Sequence, residues 1–234
     1  MRYFEHFCPE HIFMLILITA AVVTGLLFAR KLSSSGFDKL ARILSLAVLA
    51  GEILQDILLI RDGGNFIEFL PLHLCNLGIF VNIIASFTRG KISSFFAEIS
   101  LILIMPGALG ALLFPDWNYR PFWSYLPLLC FLTHTLLLFI PLLFFTRKRS
   151  RVSFGHFWYS YLFLAVVVSP LYLFDKKAGT NYLFLMYPPK SSPLEWVLHI
   201  TGDKLYLFGV FVLLTLVLAL EYALYSGLQK IFRK

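Results

Sequence analysis

The chain has 234 residues, of which 59% are hydrophobic and only 14% charged, with a mean hydropathy of +0.80. Soluble domains carry about 25% charged residues, so a water-soluble fold of this length has nowhere to hide so much apolar surface. The formal net charge of +7 could suit a nucleic acid. The bases cluster beside the ends of apolar runs, however, as topology signals do, and no nucleic-acid partner is expected.

The apolar runs are about 20 residues long, the length that crosses a bilayer. They predict an all-α integral membrane helical bundle, a single domain of about seven spans. The spans are roughly 11–29, 41–60, 68–88, 92–114, 122–146, 153–174 and 203–226. The first is read as a retained span, because no small-x-small cleavage site precedes Arg30 and Lys31. Connections are short except for 175–202, which holds Gly179, Pro188, Pro189 and Pro193; long loops in compact proteins are often functional. Thirteen of the 20 Lys and Arg residues fall in the odd-numbered loops and the C-terminal tail. That bias predicts a cytoplasmic C-terminus and an N-terminus outside, with the long loop on the outer side.

Ionisable groups within spans cost about 2.5–3.5 kcal/mol on insertion scales and usually face a protein interior or a cavity. The second span carries Glu52, Gln55 and Asp56, whose spacings of three and four put them on one helical face. Such a stripe is either a clasp to a neighbouring helix or part of a site. The third span opens with Leu70-Pro71-Leu72-His73-Leu74-Cys75-Asn76. Pro71 suits a first helical turn. His73 and Asn76 would then share a face, whereas His73 and Cys75 would not. His134 lies in the fifth span, one turn after Cys130, which reads as packing; His156 reads as interfacial. Glu98 and Glu221 read as packing or salt-bridge residues.

Depth along the helices gathers these groups. At 1.5 Å per residue, Cys75 falls about 10 Å below the outer start of its span. Glu52, Gln55 and Asp56 fall about 6–12 Å below the outer end of theirs, and His134 about 18 Å down. Together they point to one polar cavity in the outer half of the bilayer. The three cysteines, Cys8, Cys75 and Cys130, are odd in number and widely spaced, which argues against a disulfide framework or a zinc site. No metal or other cofactor is expected.

The stretch Leu70-Pro71-Leu72-His73-Leu74-Cys75 resembles the signature of the bacterial YwaF family of integral membrane proteins. Further matches follow in order: Glu52 and Gln55, Gly107-Ala108-Leu109-Gly110 running into Phe114-Pro115-Asp116, His134, and Gly179-Thr180-Asn181-Tyr182-Leu183-Phe184-Leu185. That family is similar to a eukaryotic group of multi-pass acyltransferases acting on ether phospholipids, in which the Cys of the matching motif is the nucleophile. The resemblance implies a bacterial cytoplasmic-membrane protein that moves an acyl chain between phospholipids through Cys75.

The residues themselves support such a reaction. A thiol needs a proton acceptor before it attacks, and His134 is the best-placed imidazole on another helix. Asn76 or Asn181 could donate to the oxyanion. Glu52, Gln55, Asp56, His73 and Tyr182 could bind or orient an imidazole or a lipid headgroup. Membrane lipids are the expected partners, and the sequence sets no oligomeric state. The alternative class is a transporter or lipid-binding protein built around the intramembrane carboxylates, although no inverted repeat or pair of broken helices is visible. A reporter fused to the C-terminus should read as cytoplasmic; an extracellular reading would move the polar cavity to the inner leaflet.

Overall fold

A computed structural model describes residues 3–231, with side chains up to residue 229. Arg2, Arg233 and Lys234, which enter the charge bias, lie outside the described residues. Among the described residues all regular structure is helical. Six helical stretches are long and apolar enough to cross a membrane: Pro9–Arg30, Ser34–Arg61, Gly90–Leu113, Tyr125–Thr146, Phe154–Ala178 and Asp203–Gln229. The chain is therefore a helical membrane bundle. Its internal contacts gather in two units, Met1–Arg151 and Val152–Lys234, described here in turn.

The first unit begins with α1 (Pro9–Arg30) and α2 (Ser34–Arg61). Pro9 opens α1 at a position where its missing N–H costs nothing, and Ser33 caps α2 by accepting from the Gly36 N–H. The expected third span departs from its sequence reading. A 3₁₀ turn covers Phe66–Phe69, and α3 runs only from Leu74 to Phe87. His73 is its N-cap, in extended backbone at φ −69° and ψ 157°. Pro71 thus lies ahead of the helix rather than in its first turn, because Pro disfavours helical backbone in the residue before it and Leu70 is extended at ψ 140°. At 14 residues, α3 is about 21 Å long, short of the roughly 30 Å hydrocarbon core.

The fourth span is a continuous rod with a wide turn at its middle. It comprises α4 (Gly90–Ile99), a π turn at Ser100–Ile104 and α5 (Met105–Leu113). Pro106 supplies the cause: it cannot donate to the Ile102 carbonyl, and its ring crowds that carbonyl. The turn is the centre of the unit, with Ser100, Leu101, Ile102 and Ile104 fully buried. Ser100 donates from Oγ to Asn82 Oδ1 on α3 at 2.5 Å. The last helix of the unit, α6, spans Tyr125–Thr146.

Polar groups tie both ends of the unit. At one end Arg149 pairs with Asp38, and Arg147 donates to the Ala29 and Leu32 carbonyls. At the other, the Asp62 carboxylate accepts from the Tyr125 hydroxyl and pairs with Arg61 and Arg120. The Tyr125 hydrogen bond, followed by the Arg61 guanidinium, holds that carboxyl below its ordinary range. His11 on α1 is fully buried. Its Nδ1 accepts from the Phe7 N–H at 2.9 Å, so its protonated Nε2 donates to the Leu112 carbonyl at 2.8 Å.

The second unit contains α7 (Phe157–Ala178), α8 (Pro193–Thr201) and α9 (Tyr206–Ile231). The stretch expected as a long irregular loop, 175–202, is largely structured. Helix α7 continues to Ala178 and ends on Gly179 at φ 71°, a left-handed position that glycine adopts without cost. A 3₁₀ turn at Tyr182–Phe184 and α8 follow. The side chains of Thr180 and Asn181 and the Tyr182 N–H are engaged in this turn. Asp175 Oδ1 accepts from the Thr180 hydroxyl at 2.6 Å and from the Tyr182 N–H at 3.0 Å. Those bonds hold Leu183 and Phe184 at φ 54° and 56°, in the left-handed region that costs ordinary residues energy. Near the other end of α7, the Tyr222 hydroxyl of α9 donates to the His156 carbonyl at 2.9 Å.

A close helix contact in the first unit provides a test. A Cβ added at Gly78 would meet Ile104 Cγ2 at 2.3 Å, against a fully buried side chain. Gly78→Ala should lower stability by about 1–3 kcal/mol through overpacking, read as a lower midpoint of thermal unfolding in detergent. Adding Ile104→Leu, which removes the offending β-branch, should recover part of the loss.

Candidate functional site

The polar residues singled out on α2, α3 and α6 meet at one end of the first unit. Glu52, Gln55 and Asp56 lie on the last turns of α2, and Cys75 and Asn76 are the second and third residues of α3. Cys130 and His134 lie in the first half of α6. Glycines permit the approach. A Cβ at Gly51 would come to 3.2 Å from Thr133 Cγ2, and one at Gly107 would come to 3.2 Å from Leu74 Cδ2. Gly107 therefore lets α5 pass beside the start of α3, next to Cys75.

Three contacts define the geometry. Asn76 Nδ2 donates to Glu52 Oε1, linking α3 to α2. The Cys130 thiol donates to Gln55 Oε1 at 3.2 Å, linking α6 to α2. His134 Nδ1 lies 2.7 Å from the Cys130 carbonyl of its own helix. A carbonyl only accepts, so Nδ1 carries the proton; the neutral ring then presents Nε2 as a bare acceptor. Cys130, read from the sequence as packing, is thus one of the links.

Cys75 is half-buried and lies within electrostatic reach of Glu52 and Asp116, and Cys130 lies within reach of Cys75. His134 lies within reach of His73. Asp56 shares this end, within reach of Glu52. Among the described residues no hydrogen bond joins Cys75 to His134. Because α3 starts late, Cys75 sits at the mouth of its helix rather than about 10 Å inside it. The helical spacing argument that kept His73 off the face of Cys75 does not apply either, since His73 is in extended backbone.

Two residues of the cluster had no site role in the sequence reading, although Asp116 falls in one of the stretches that carry the resemblance. Trp117 is buried and lies over the His134 ring at 4.9 Å between centroids, tilted by 31°. Its indole N–H is buried without a hydrogen-bond partner among the described residues. Asp116 precedes it in the turn after α5, with its side chain exposed. A charged residue and a tryptophan beside a span end was the available signal, but it also describes an ordinary interfacial loop. Asn181 and Tyr182 belong to the second unit. The Asn181 amide is engaged there, accepting from the N–H groups of Met186 and Tyr187 and donating to the Tyr187 carbonyl at 2.8 Å. Tyr182 is buried within the same turn. Among the described residues no group of three or more His, Cys, Asp or Glu side chains has a metal-binding arrangement.

The link between Glu52 and Asn76 can be tested by coupling. Asn76→Ala leaves a half-buried carboxyl without its donor and should cost about 1–3 kcal/mol of stability. In a Glu52→Leu background the same change should cost much less. Equal losses in the two backgrounds would show that the contact contributes nothing.

The model of one protein family, described as the TMEM164 family, matches residues 6–222 of the chain. No curated protein and no solved structure matches it.

Proposed function

Because the chain belongs to the TMEM164 family, a multi-pass membrane protein by its helices, we propose that it is a membrane-embedded acyltransferase that moves an acyl chain between phospholipids through Cys75. One observation carries the reading. A half-buried thiol at the start of α3 shares one end of one unit with an imidazole whose bond to the Cys130 carbonyl leaves Nε2 ready to take a proton. The resemblance of the Leu70–Cys75 stretch to acyl-transferring membrane proteins supports the same role. With the N-terminus outside, as the charge bias favours, this end faces the outer leaflet.

The reaction runs in two displacements. His134 Nε2 takes the Cys75 proton as the substrate seats and shortens the path between them; catalytic contacts are often loose before substrate binds. The thiolate attacks the ester carbonyl of a donor phospholipid. The C–O bond breaks, and the leaving alkoxide takes the proton from His134, giving a thioester and a lysolipid. The hydroxyl of a second lysolipid then attacks the thioester. Its proton goes to His134, the C–S bond breaks, and the thiolate recovers the proton. The backbone N–H groups of the first turn of α3 and the Trp117 indole N–H are the donors at hand for the carbonyl oxygen. Glu52 keeps Asn76, and with it the start of α3, in place. Trp117 sets the plane of His134.

Cys75→Ser and Cys75→Ala should each abolish acyl transfer between phospholipids in reconstituted vesicles, and with it the hydroxylamine-sensitive acyl-protein intermediate, while the elution profile stays that of the native protein. His134→Gln should slow transfer by about 100-fold or more, the scale of general-base assistance. Cys8→Ser and Cys130→Ser should retain activity, the latter because serine keeps a donor for Gln55. The rival reading draws on two carboxylates four residues apart on α2 and makes the protein a carrier. Full activity in Cys75→Ser combined with loss in Glu52→Gln would replace the acyltransferase by that carrier.

A further inference from the structure

A second feature lies at the opposite end of α2. Lys39 and Arg42 there lie about 20 and 15 Å from Glu52 along the helix axis, apart from the cysteine cluster. There α2 and the end of α3 enclose an open groove of about 630 Å³, lined by Ser34, Ser35, Asp38, Lys39, Arg42, Ile43, Leu46, Phe87 and Arg89. Its two halves differ in character. Lys39, Arg42 and Arg89 stand toward the helix ends, whereas Ile43, Leu46 and Phe87 stand about half exposed, at 52%, 47% and 47%.

The spacing gives the groove a direction. Ser35, Lys39, Arg42 and Leu46 follow one another at four, three and four residues and so form one stripe on α2. From Ser35 to Leu46 that stripe runs about 16 Å along the helix, from hydroxyl and cationic groups to bare hydrocarbon. An amphiphile with a charged head and an apolar tail matches the sequence of groups, and a small water-soluble anion would use only the first half.

The charge balance selects the head. Asp38, the acidic residue of the groove, is held by Arg149 and lies 3.8 Å from Arg89. Lys39 makes no ion pair among the described residues. Arg42 is fixed by donating from Nε to the Ser86 carbonyl at 3.3 Å and by lying over the Phe87 ring at 5.3 Å. Its two Nη groups make no hydrogen bond among the described residues. The groove is therefore net positive, with donors pre-placed on a packed helix pair. A zwitterionic head, whose own ammonium would meet these bases, fits it less well than an anionic one.

We propose that this groove binds an anionic glycerophospholipid of the adjoining leaflet, its phosphate held by Lys39, Arg42 and Arg89 and its acyl chain laid over Ile43, Leu46 and Phe87. The site is separate from the cysteine cluster and does not depend on any acyl transfer there.

The full chain, purified from membranes, is reconstituted in zwitterionic phosphatidylcholine nanodiscs doped with a minor fraction of phosphatidylglycerol. The phosphatidylglycerol retained after detergent exchange is then counted by native mass spectrometry. The native protein should retain it in preference to phosphatidylcholine. Lys39→Glu with Arg89→Glu, both at exposed side chains, should lower that retention by at least about tenfold, since each base near a membrane surface contributes several-fold. Leu46→Trp, which fills the apolar half without touching a charge, should lower it as well. Lys31→Glu, a reversal outside the groove, should leave it unchanged. Equal retention by the Lys39/Arg89 variant would overturn the proposal. So would an equal loss in Lys31→Glu, which would show general surface charge, or full displacement of the lipid by inorganic phosphate, which would show a soluble-anion site.

Discussion

The hydrogen bond from Asn76 to Glu52 is the contact on which the arrangement of the first unit turns. Helix α3 is too short to cross a bilayer by itself, and its first turn leaves backbone N–H groups without helical partners. At membrane depth such backbone is tolerated only when buried in protein or lining a cavity. The bond ties the third residue of α3 to α2, so the helix begins against a neighbour rather than against lipid. Everything ascribed to Cys75 follows from where α3 begins. The sulfur stands at the mouth of the helix, beside the turn that carries Asp116 and Trp117.

The wide turn in the fourth span contributes from the other side. Pro106 breaks the regular ladder, and Ser100 answers by donating to Asn82, so the interruption is absorbed within the protein. Gly78 lets Ile104 press into α3, and Gly107 lets α5 run past Leu74. The fourth span thereby shapes the wall behind the cysteine. A straight helix would carry α5 along a different line.

The two ends of α2 divide the chemistry. One carries carboxyl, amide, thiol and imidazole groups in partly enclosed surroundings; the other carries guanidinium and ammonium groups beside open hydrocarbon. The first arrangement suits proton transfer and attack on an ester, where a desolvated site strengthens each polar contact. The second suits attraction of a charged headgroup, which depends on net charge more than on exact geometry. A single rod of 28 residues holds Lys39 and Arg42 about 15–20 Å from Glu52 along its axis.

The sequence by itself determined that this chain is a helical membrane protein, because apolar runs of bilayer length with few charges admit no other solution. It also picked out Glu52, Gln55, Cys75, Asn76 and His134, since polar groups inside such runs must find partners. Tertiary structure decided how those groups are used. The proline rule placed Pro71 in a first helical turn, but Leu70 is extended, a tight turn at Pro71 joins the Leu72 N–H to the Leu70 carbonyl, and α3 begins only at Leu74; local propensity does not set where a helix gains its first packing partner. Cys130 became a link to Gln55 only when α6 was placed against α2, because a small apolar-looking residue has no signature of its own. Trp117 could not be foreseen, since its place over His134 depends on the path of a turn between two spans. The Thr180-Asn181-Tyr182 stretch carries a recognisable pattern, yet its hydrogen bonds serve the turn that contains it. A motif names residues that belong together; only the folded backbone decides whether their polar atoms face a substrate or one another.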